Sequence, residues 1–393
     1  MLHFLIHRAI PSSALRRLGA SESPRVTNME LFFDLVYVFT IIQLSHYLLD
    51  GMTWMGAIEA LTLFAAVWWT WNYTAWATNW LDPDHVSGRV LMTVLMGCAL
   101  VMAIGIPEAY GDRAGLFAVA YVAMALLRAG YMSLLFRGQA MGRNYAQLFA
   151  WSAVSGCFWI AGALFPEQRI LLWILAVLLD YAAPYHGFWL PALGSTSMAS
   201  WPLRGLHLFE RNQQIFIIAL GESILLLGAL LVGRSLDPPV VSAAIIGFLV
   251  IIMLWWIYFV QLAERGEHGF HHGTDHSRLA RAGLAYAHGV MVCGAIIVAV
   301  AIELIVAHPL DPVHVPTALA AAAGPTLFLA GAALFHRTMS RRMPGTYGLA
   351  VLALPAWAWL TVALHLDGRW LGAGVLMLMT AVAIRQRGHG ALA

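Results

Sequence analysis

Long apolar runs fill most of the chain, and short segments rich in Arg, Asp, Pro and Gly interrupt them. An apolar run of about 20 residues is what an α-helix needs to cross the hydrocarbon core of a bilayer. Matching the runs to that length predicts twelve transmembrane helices, over residues 29–49, 54–78, 88–107, 114–136, 145–165, 169–190, 206–232, 239–262, 279–304, 315–336, 346–365 and 368–385. Pro107 closes the third, and the sixth is expected to break near Pro184 or Pro191, because proline has no N–H for the helix ladder. The fold class this pattern predicts is an all-α polytopic membrane protein.

The pattern also repeats. Trp68-Trp69 precedes Asp84-His85, Cys98 and Glu108, just as Trp255-Trp256 precedes Asp275-His276, Cys293 and Glu303. Leu135-Phe136-Arg137 returns as Leu334-Phe335 with Arg337, and Arg169 returns as Arg369. The predicted organisation is a cytoplasmic N-terminal segment over 1–28, a first six-helix repeat over 29–203 and a second over 204–393. Six spans is an even number, so the two repeats would insert in the same orientation.

Composition narrows the class. Hydrophobic residues make up 61% of the chain, and its mean hydropathy is +0.74. The longest polar stretches, 1–28 and about 263–280, are too short to enclose a soluble core. All 22 basic residues are arginine, so no lysine exists to form a Schiff base or to serve a Walker-type phosphate loop. Cys98, Cys157 and Cys293 fall in apolar runs without metal or redox spacing and read as small buried apolar side chains. A net charge of +2 gives no reason to expect nucleic acid. Arg16 and Arg17 follow Phe4, Leu5 and Ile6, the reverse of a cleaved signal sequence. Counting arginines at the span ends and in the segments between them, with mid-span Arg128 left out, puts 17 on the side of the N-terminus and four on the other, so both termini are expected in the cytoplasm.

Ionisable residues inside such spans are costly to insert and mark candidate functional positions. Glu30 and Asp34 lie four residues apart and share one helix face. Two carboxylates one turn apart repel, so either one is protonated or each has an Arg partner, with Arg25, Arg128, Arg137 and Arg211 as candidates. Glu222 lies near the midplane in the seventh span beside Gly221 and Ser223, and Gly221 would give a neighbouring helix close access. Asp180 and Arg128 are mid-span, and Arg128 is expected to pair with Asp180 or Glu222. Glu210 occupies the place of Glu30 in the second repeat, with Gln214 in that of Asp34. The run Trp68-Trp69-Thr70-Trp71-Asn72-Tyr73, with Trp76 and Trp80, reads either as an interfacial aromatic belt or as a vestibule lined by Thr70 and Asn72. His46, His186 and His288 read as packing residues, and the loop histidines His268, His271, His272 and His276 as incidental to any metal.

Three strings now converge: ELFFDLVYVFTIIQLSH in the first span, WWTWNYTAWATNWLDPD in the second and ALGESIL in the seventh. Together they resemble the bacterial low temperature requirement A (LtrA) family, over most of the chain from about Thr27 onward. The resemblance implies a multipass protein of the bacterial inner membrane. It marks Glu30, Asp34, Asn72, Asp82, Glu210, Gly221, Glu222 and Ser223 as signature positions. One departure is the polar Asn212-Gln213, where family members often continue with an apolar stretch. The family implies no established biochemical activity.

The leading expectation is a secondary transporter of a small solute or ion, coupled to protons through intramembrane carboxylates. The candidate pathway residues are Glu30, Asp34, Asn72, Arg128, Asp180, Glu210, Glu222 and Ser223. The alternatives are a passive cation channel and a membrane sensor or stress-tolerance scaffold. Neither an enzymatic constellation, a cofactor nor a metal site is expected; the expected partners are the lipid bilayer and the small solute or ion.

Overall fold

The computed structural model describes residues 10–16, 26–196, 203–272, 276–341 and 343–390. Arg17, Arg25, Asp275 and Arg342 lie outside the described residues, as do the side chains of His271 and His272 and most of the 1–28 segment.

Among the described residues the regular structure is helical, without strands. We label the long helices α1 (Asn28–Asp50), α2 (Trp54–Thr78), α3 (Val86–Gly105), α4 (Ala114–Leu135), α5 (Ala140–Leu164) and α6 (Arg169–Ala182). The second series is α7 (Gly205–Val232), α8 (Pro238–Trp255), α9 (His288–Ala307), α10 (Val315–Ser340), α11 (Gly345–Ala363) and α12 (Gly368–Gly390). Two π-helical stretches, Trp256–Ala263 and Ala280–Ala287, lengthen α8 and α9 at their facing ends. Among the described residues, ten helices are long and apolar enough to cross a membrane, which makes this a multipass membrane protein.

The two remaining helices differ for separate reasons. Helix α2 has the length, but Thr62, Thr70, Asn72, Thr74 and Thr78 dilute its hydropathy, and all five are buried. Helix α6 stops at Ala182 rather than running on to 190, and 14 residues reach only about 21 Å. Beyond it Pro184 lacks the N–H to continue the ladder, and Gly187 and Phe188 turn the chain at φ +57° and +51°.

The chain divides into two compact units, Met1–Tyr47 with Trp54–Arg211, and Leu48–Thr53 with Asn212–Ala393. In the first, α3 packs on α4, α4 on α5, α5 on α6, and α2 lies against both α4 and α6. Its core is aromatic: Trp159 and Trp173 lie 5.1 Å apart, with Phe117 and Tyr121 against them. Trp54, at the start of α2, is exposed, while the later indoles belong to the packed interior. Trp68, Trp69, Trp71, Trp76 and Trp80 are all buried, which corrects the reading of an interfacial aromatic belt.

In the second unit, α9 packs on α10, α10 on α11, α11 on α12, and α12 against α8. Small residues allow the closest crossing. A Cβ on Gly294 would lie 2.5 Å from the Phe328 nitrogen, and one on Gly324 would lie 2.7 Å from that of Val298. Above this crossing His288 joins the two π-helical stretches. It bonds the Gly283 carbonyl at 2.8 Å through Nδ1 and the Tyr258 hydroxyl at 2.7 Å through Nε2. Of the cysteines, Cys293 is buried, whereas Cys98 is half-buried and Cys157 is exposed on the apolar outer face of α5, so burial does not explain all three.

Candidate functional site

The site begins at the first turn of α1. The backbone N–H and hydroxyl of Thr27 donate to Glu30 Oε2 at 2.9 and 3.1 Å, and the Glu30 N–H donates back to Thr27 Oγ1 at 3.3 Å. This reciprocal capping satisfies helix-terminal donors that would otherwise be stranded, and it fixes the Glu30 carboxylate at the start of the helix. One turn further along the same face stands Asp34. Both carboxylates are fully buried.

Each carboxylate has a cation. Arg16 reaches in from the N-terminal segment, donating to Glu30 Oε2 at 2.9 Å and, through Nε, to the carbonyls of Thr78 and Leu81. Arg211, on α7, donates to Asp34 Oδ1 at 2.7 Å and lies 3.7 Å from Glu30 Oε1. The Trp71 indole N–H donates to the same Asp34 oxygen at 2.8 Å, and the Arg211 guanidinium lies 5.9 Å from the centre of that ring system. Of the two solutions open to a carboxylate pair, the structure takes the Arg-partner one. A buried ion pair recovers its desolvation cost only with good geometry and further hydrogen bonds. Here the satisfaction is unequal: among the described residues Asp34 Oδ1 takes two donors while none bonds Oδ2, and Nε and Nη1 of Arg211 find no acceptor at hydrogen-bond range.

His207 links the site to the α2–α3 turn. Asn79 is held by two bonds with Arg204, one from its amide nitrogen to the Arg204 carbonyl and one from the Arg204 N–H to its Oδ1, each 3.0 Å. Its amide nitrogen also lies 3.3 Å from His207 Nδ1. That makes Nδ1 an acceptor and leaves Nε2–H to donate to Glu30 Oε1 at 3.0 Å, a tautomer assigned from the bonding pattern. With His207 neutral, the buried charges are two carboxylates and two guanidiniums.

The other mid-span pair does not form. Arg128 Nη1 donates to the Thr70 carbonyl at 3.0 Å and to Thr74 Oγ1 at 3.1 Å, and its guanidinium lies 5.2 Å from the Tyr73 ring centre. Asp180 instead accepts from the Tyr121 hydroxyl at 2.5 Å and lies 3.5 Å from the Trp159 indole nitrogen. Each thus finds neutral polar partners on neighbouring helices. Tyr37 bonds Thr70 Oγ1 at 3.1 Å, so the α1 face that carries Glu30 and Asp34 continues toward Arg128.

Glu210 is half-buried, and Asn72 is buried with its amide nitrogen unbonded. Asp82 shapes the α2–α3 turn, accepting from the Asp84 N–H at 3.0 Å. In the second unit Glu222 is fully buried, and Ser223 donates to the Ala219 carbonyl one turn back at 3.2 Å. A Cβ on Gly221 would meet nothing within 4 Å, so this glycine does not mark a close helix approach.

His207 and Asn79 were not singled out from the sequence, and Arg16 and Trp71 entered only through the signal-sequence argument and the aromatic run, not as partners of the carboxylates. The Thr-x-x-Glu spacing of Thr27 and Glu30 was the readable signal for the cap; nothing local announces which distant Arg or His will meet it.

These features define a multipass helical protein with a buried, charge-balanced cluster at the start of its first helix. Residues 25–384 match the bacterial low temperature requirement A protein (LtrA) family, and the chain belongs to it. An uncharacterized protein of Rhizobium meliloti (strain 1021) is 35% identical over 339 residues, covering 86% of this chain and 83% of its own. No solved structure gives a significant match.

Proposed function

We propose that the protein is a secondary transporter of a small solute or ion in which Asp34 is the proton-exchanging carboxylate and Arg211 its counter-ion. One observation carries this reading: a fully buried aspartate whose Oδ1 takes two donors while Oδ2 has none among the described residues. A purely structural aspartate at this cost is expected to use both oxygens. An open oxygen beside a committed one leaves a place for a proton or a small cation, and occupation of that place weakens the hold on Arg211. Glu30, bonded to Arg16, His207 and Thr27, is the fixed neighbour whose charge keeps Arg211 nearby.

In this reading residues 29–203 and 204–393 are two six-helix repeats inserted in the same orientation in a bacterial inner membrane, with both termini cytoplasmic. The shared packing order of their third to sixth helices supports the repeat, and the arginine asymmetry supports the orientation.

The test is reconstitution of the full chain in vesicles holding a pH-sensitive dye, challenged in turn with sodium, potassium, short carboxylates and amino acids. Proton movement coupled to at least one of these supports the reading, and its loss in Asp34→Asn ties it to this carboxylate. Ionic current with no proton movement under any condition favours the passive cation channel instead.

A further inference from the structure

We propose that residues 12–16 form a gate: a strap across the N-terminal side of the Glu30–Asp34–Arg211 cluster that opens when Arg16 leaves Glu30, and so controls access to Asp34 from that side. The proposal rests on the transport reading above, in which Asp34 must meet water to exchange its proton. Glu30 stands in the first turn of α1, where a membrane helix meets the aqueous boundary, and yet solvent reaches neither it nor Asp34. Arg16 helps to seal that end by tying two helix termini together. Its Nη2 donates to Glu30 Oε2 at the start of α1 across 2.9 Å. Its Nε donates at 2.9 and 3.1 Å to the carbonyls of Thr78, the last residue of α2, and of Leu81 just beyond. Carbonyls at the end of a helix lack an intrahelical partner, so the guanidinium displaces no helix bond there.

The strap is held by few bonds. Its one 3-10 turn, Ser12–Ala14, buries Ala14 and leaves Ser13 exposed. Apart from the Arg16 side chain, its hydrogen bonds to distant described residues are three. The Arg16 N–H donates to the Trp80 carbonyl at 2.7 Å, the Asp82 N–H donates to the Ala14 carbonyl at 2.8 Å, and Ser13 Oγ lies 3.3 Å from His85 Nε2. A short segment with so few ties belongs to the part of a fold that opens locally, without global unfolding. Opening does not strand Glu30, because Thr27 and His207 still donate to it and Arg211 stands 3.7 Å away. The arginine is therefore the group that moves, and the carboxylate stays beside Asp34.

The backbone offers a lock. Leu15 and Leu81 form an antiparallel bridge, and the Arg16–Trp80 and Asp82–Ala14 bonds flank it, which makes Leu15 and Leu81 a non-hydrogen-bonded pair. Such a pair sits about 4.5 Å apart at Cα, inside the span of roughly 4.4–6.8 Å that a disulfide bridges. Leu15→Cys/Leu81→Cys, in a full chain with Cys98, Cys157 and Cys293 replaced by Ala, locks the strap when oxidised and alters no charge. Access is read by treating the purified chain with a water-soluble carbodiimide and an amine, then measuring modified Asp34 by peptide mass spectrometry. Asp34 keeps Arg211 and Trp71 in every variant, so its labelling reports access. Labelling should be lost on oxidation and return on reduction, and Arg16→Gln should label faster than wild type. In dye-loaded vesicles the lock should stop proton movement reversibly. Labelling that is equal in the oxidised and reduced forms, or no faster in Arg16→Gln, overturns the gate, as does proton movement that continues unchanged through the oxidised lock. Labelling that follows the lock while no solute moves protons through the wild type would overturn the transport reading and leave the control of access standing.

Discussion

Arg211 donates to Asp34 across 2.7 Å with neither side chain reached by solvent. Removing the cation alone strands a buried carboxylate. Arg211→Gln should therefore cost about 3–5 kcal/mol of stability, whereas Arg211→Gln/Asp34→Asn, which leaves no buried charge at the pair, should recover most of it. Thermal unfolding of the two variants and of Asp34→Asn in one detergent closes a double-mutant cycle. A loss in the double variant equal to the sum of the two single losses would show that the pair is not coupled.

The Trp71 indole supplies the second donor on Asp34 Oδ1. Trp71→Phe keeps the ring in its buried slot and removes that N–H. A hydrogen bond to a charged group is worth about 1.5–3 kcal/mol, so the unfolding midpoint should fall accordingly. The loss should shrink in an Asp34→Asn background.

Glycine substitutions should separate a tight crossing from an open face. Gly294→Ala drives a methyl into the backbone of α10 and should cost about 1–3 kcal/mol. Gly221→Ala meets open space and should be neutral or stabilising by up to about 1 kcal/mol through helix propensity. The same thermal assay reads both.

Asp367, in the turn before α12, carries a pH-dependent contribution. It accepts from the Arg369 backbone N–H at 3.0 Å and from its guanidinium at 2.8 Å, and that bonding holds its carboxyl below the usual range. A depressed carboxylate adds stability above its unfolded pKa of about 4 and loses it as pH falls through the folded value. Asp367→Asn keeps a capping side chain and removes the charge. It should cost up to about 1 kcal/mol at pH 7, with the difference from wild type fading below about pH 4. A constant gap across that range would contradict the ion-pair account.

The helices were legible because lipid imposes a length on each apolar run, and ten of them meet that length with the expected order. Helix α6 was drawn too long because apolar composition continues through Tyr185, Phe188 and Trp189, while the break depends on Pro184 and on positive φ at Gly187 and Phe188. The π-helical stretches in α8 and α9 left no mark in hydropathy, since a changed bond register does not alter which residues are apolar. At the site, the Glu30–Asp34 spacing pointed to a shared face and Arg211 was among its candidate partners. The choice of Arg211 over Arg128 is tertiary: Thr70 and Thr74 on α2 capture Arg128 first. His207 and Arg16 reach Glu30 from far along the sequence, where a single chain carries no local pattern for them.

The account rests on Asp34 exchanging a proton beside Arg211, and dye-loaded vesicles report that directly. With a solute that moves protons through the wild type, Asp34→Asn should abolish the dye signal, Asp34→Glu should restore part of it, and Glu108→Gln, in an exposed turn, should leave it intact. Full proton movement through Asp34→Asn would contradict the account.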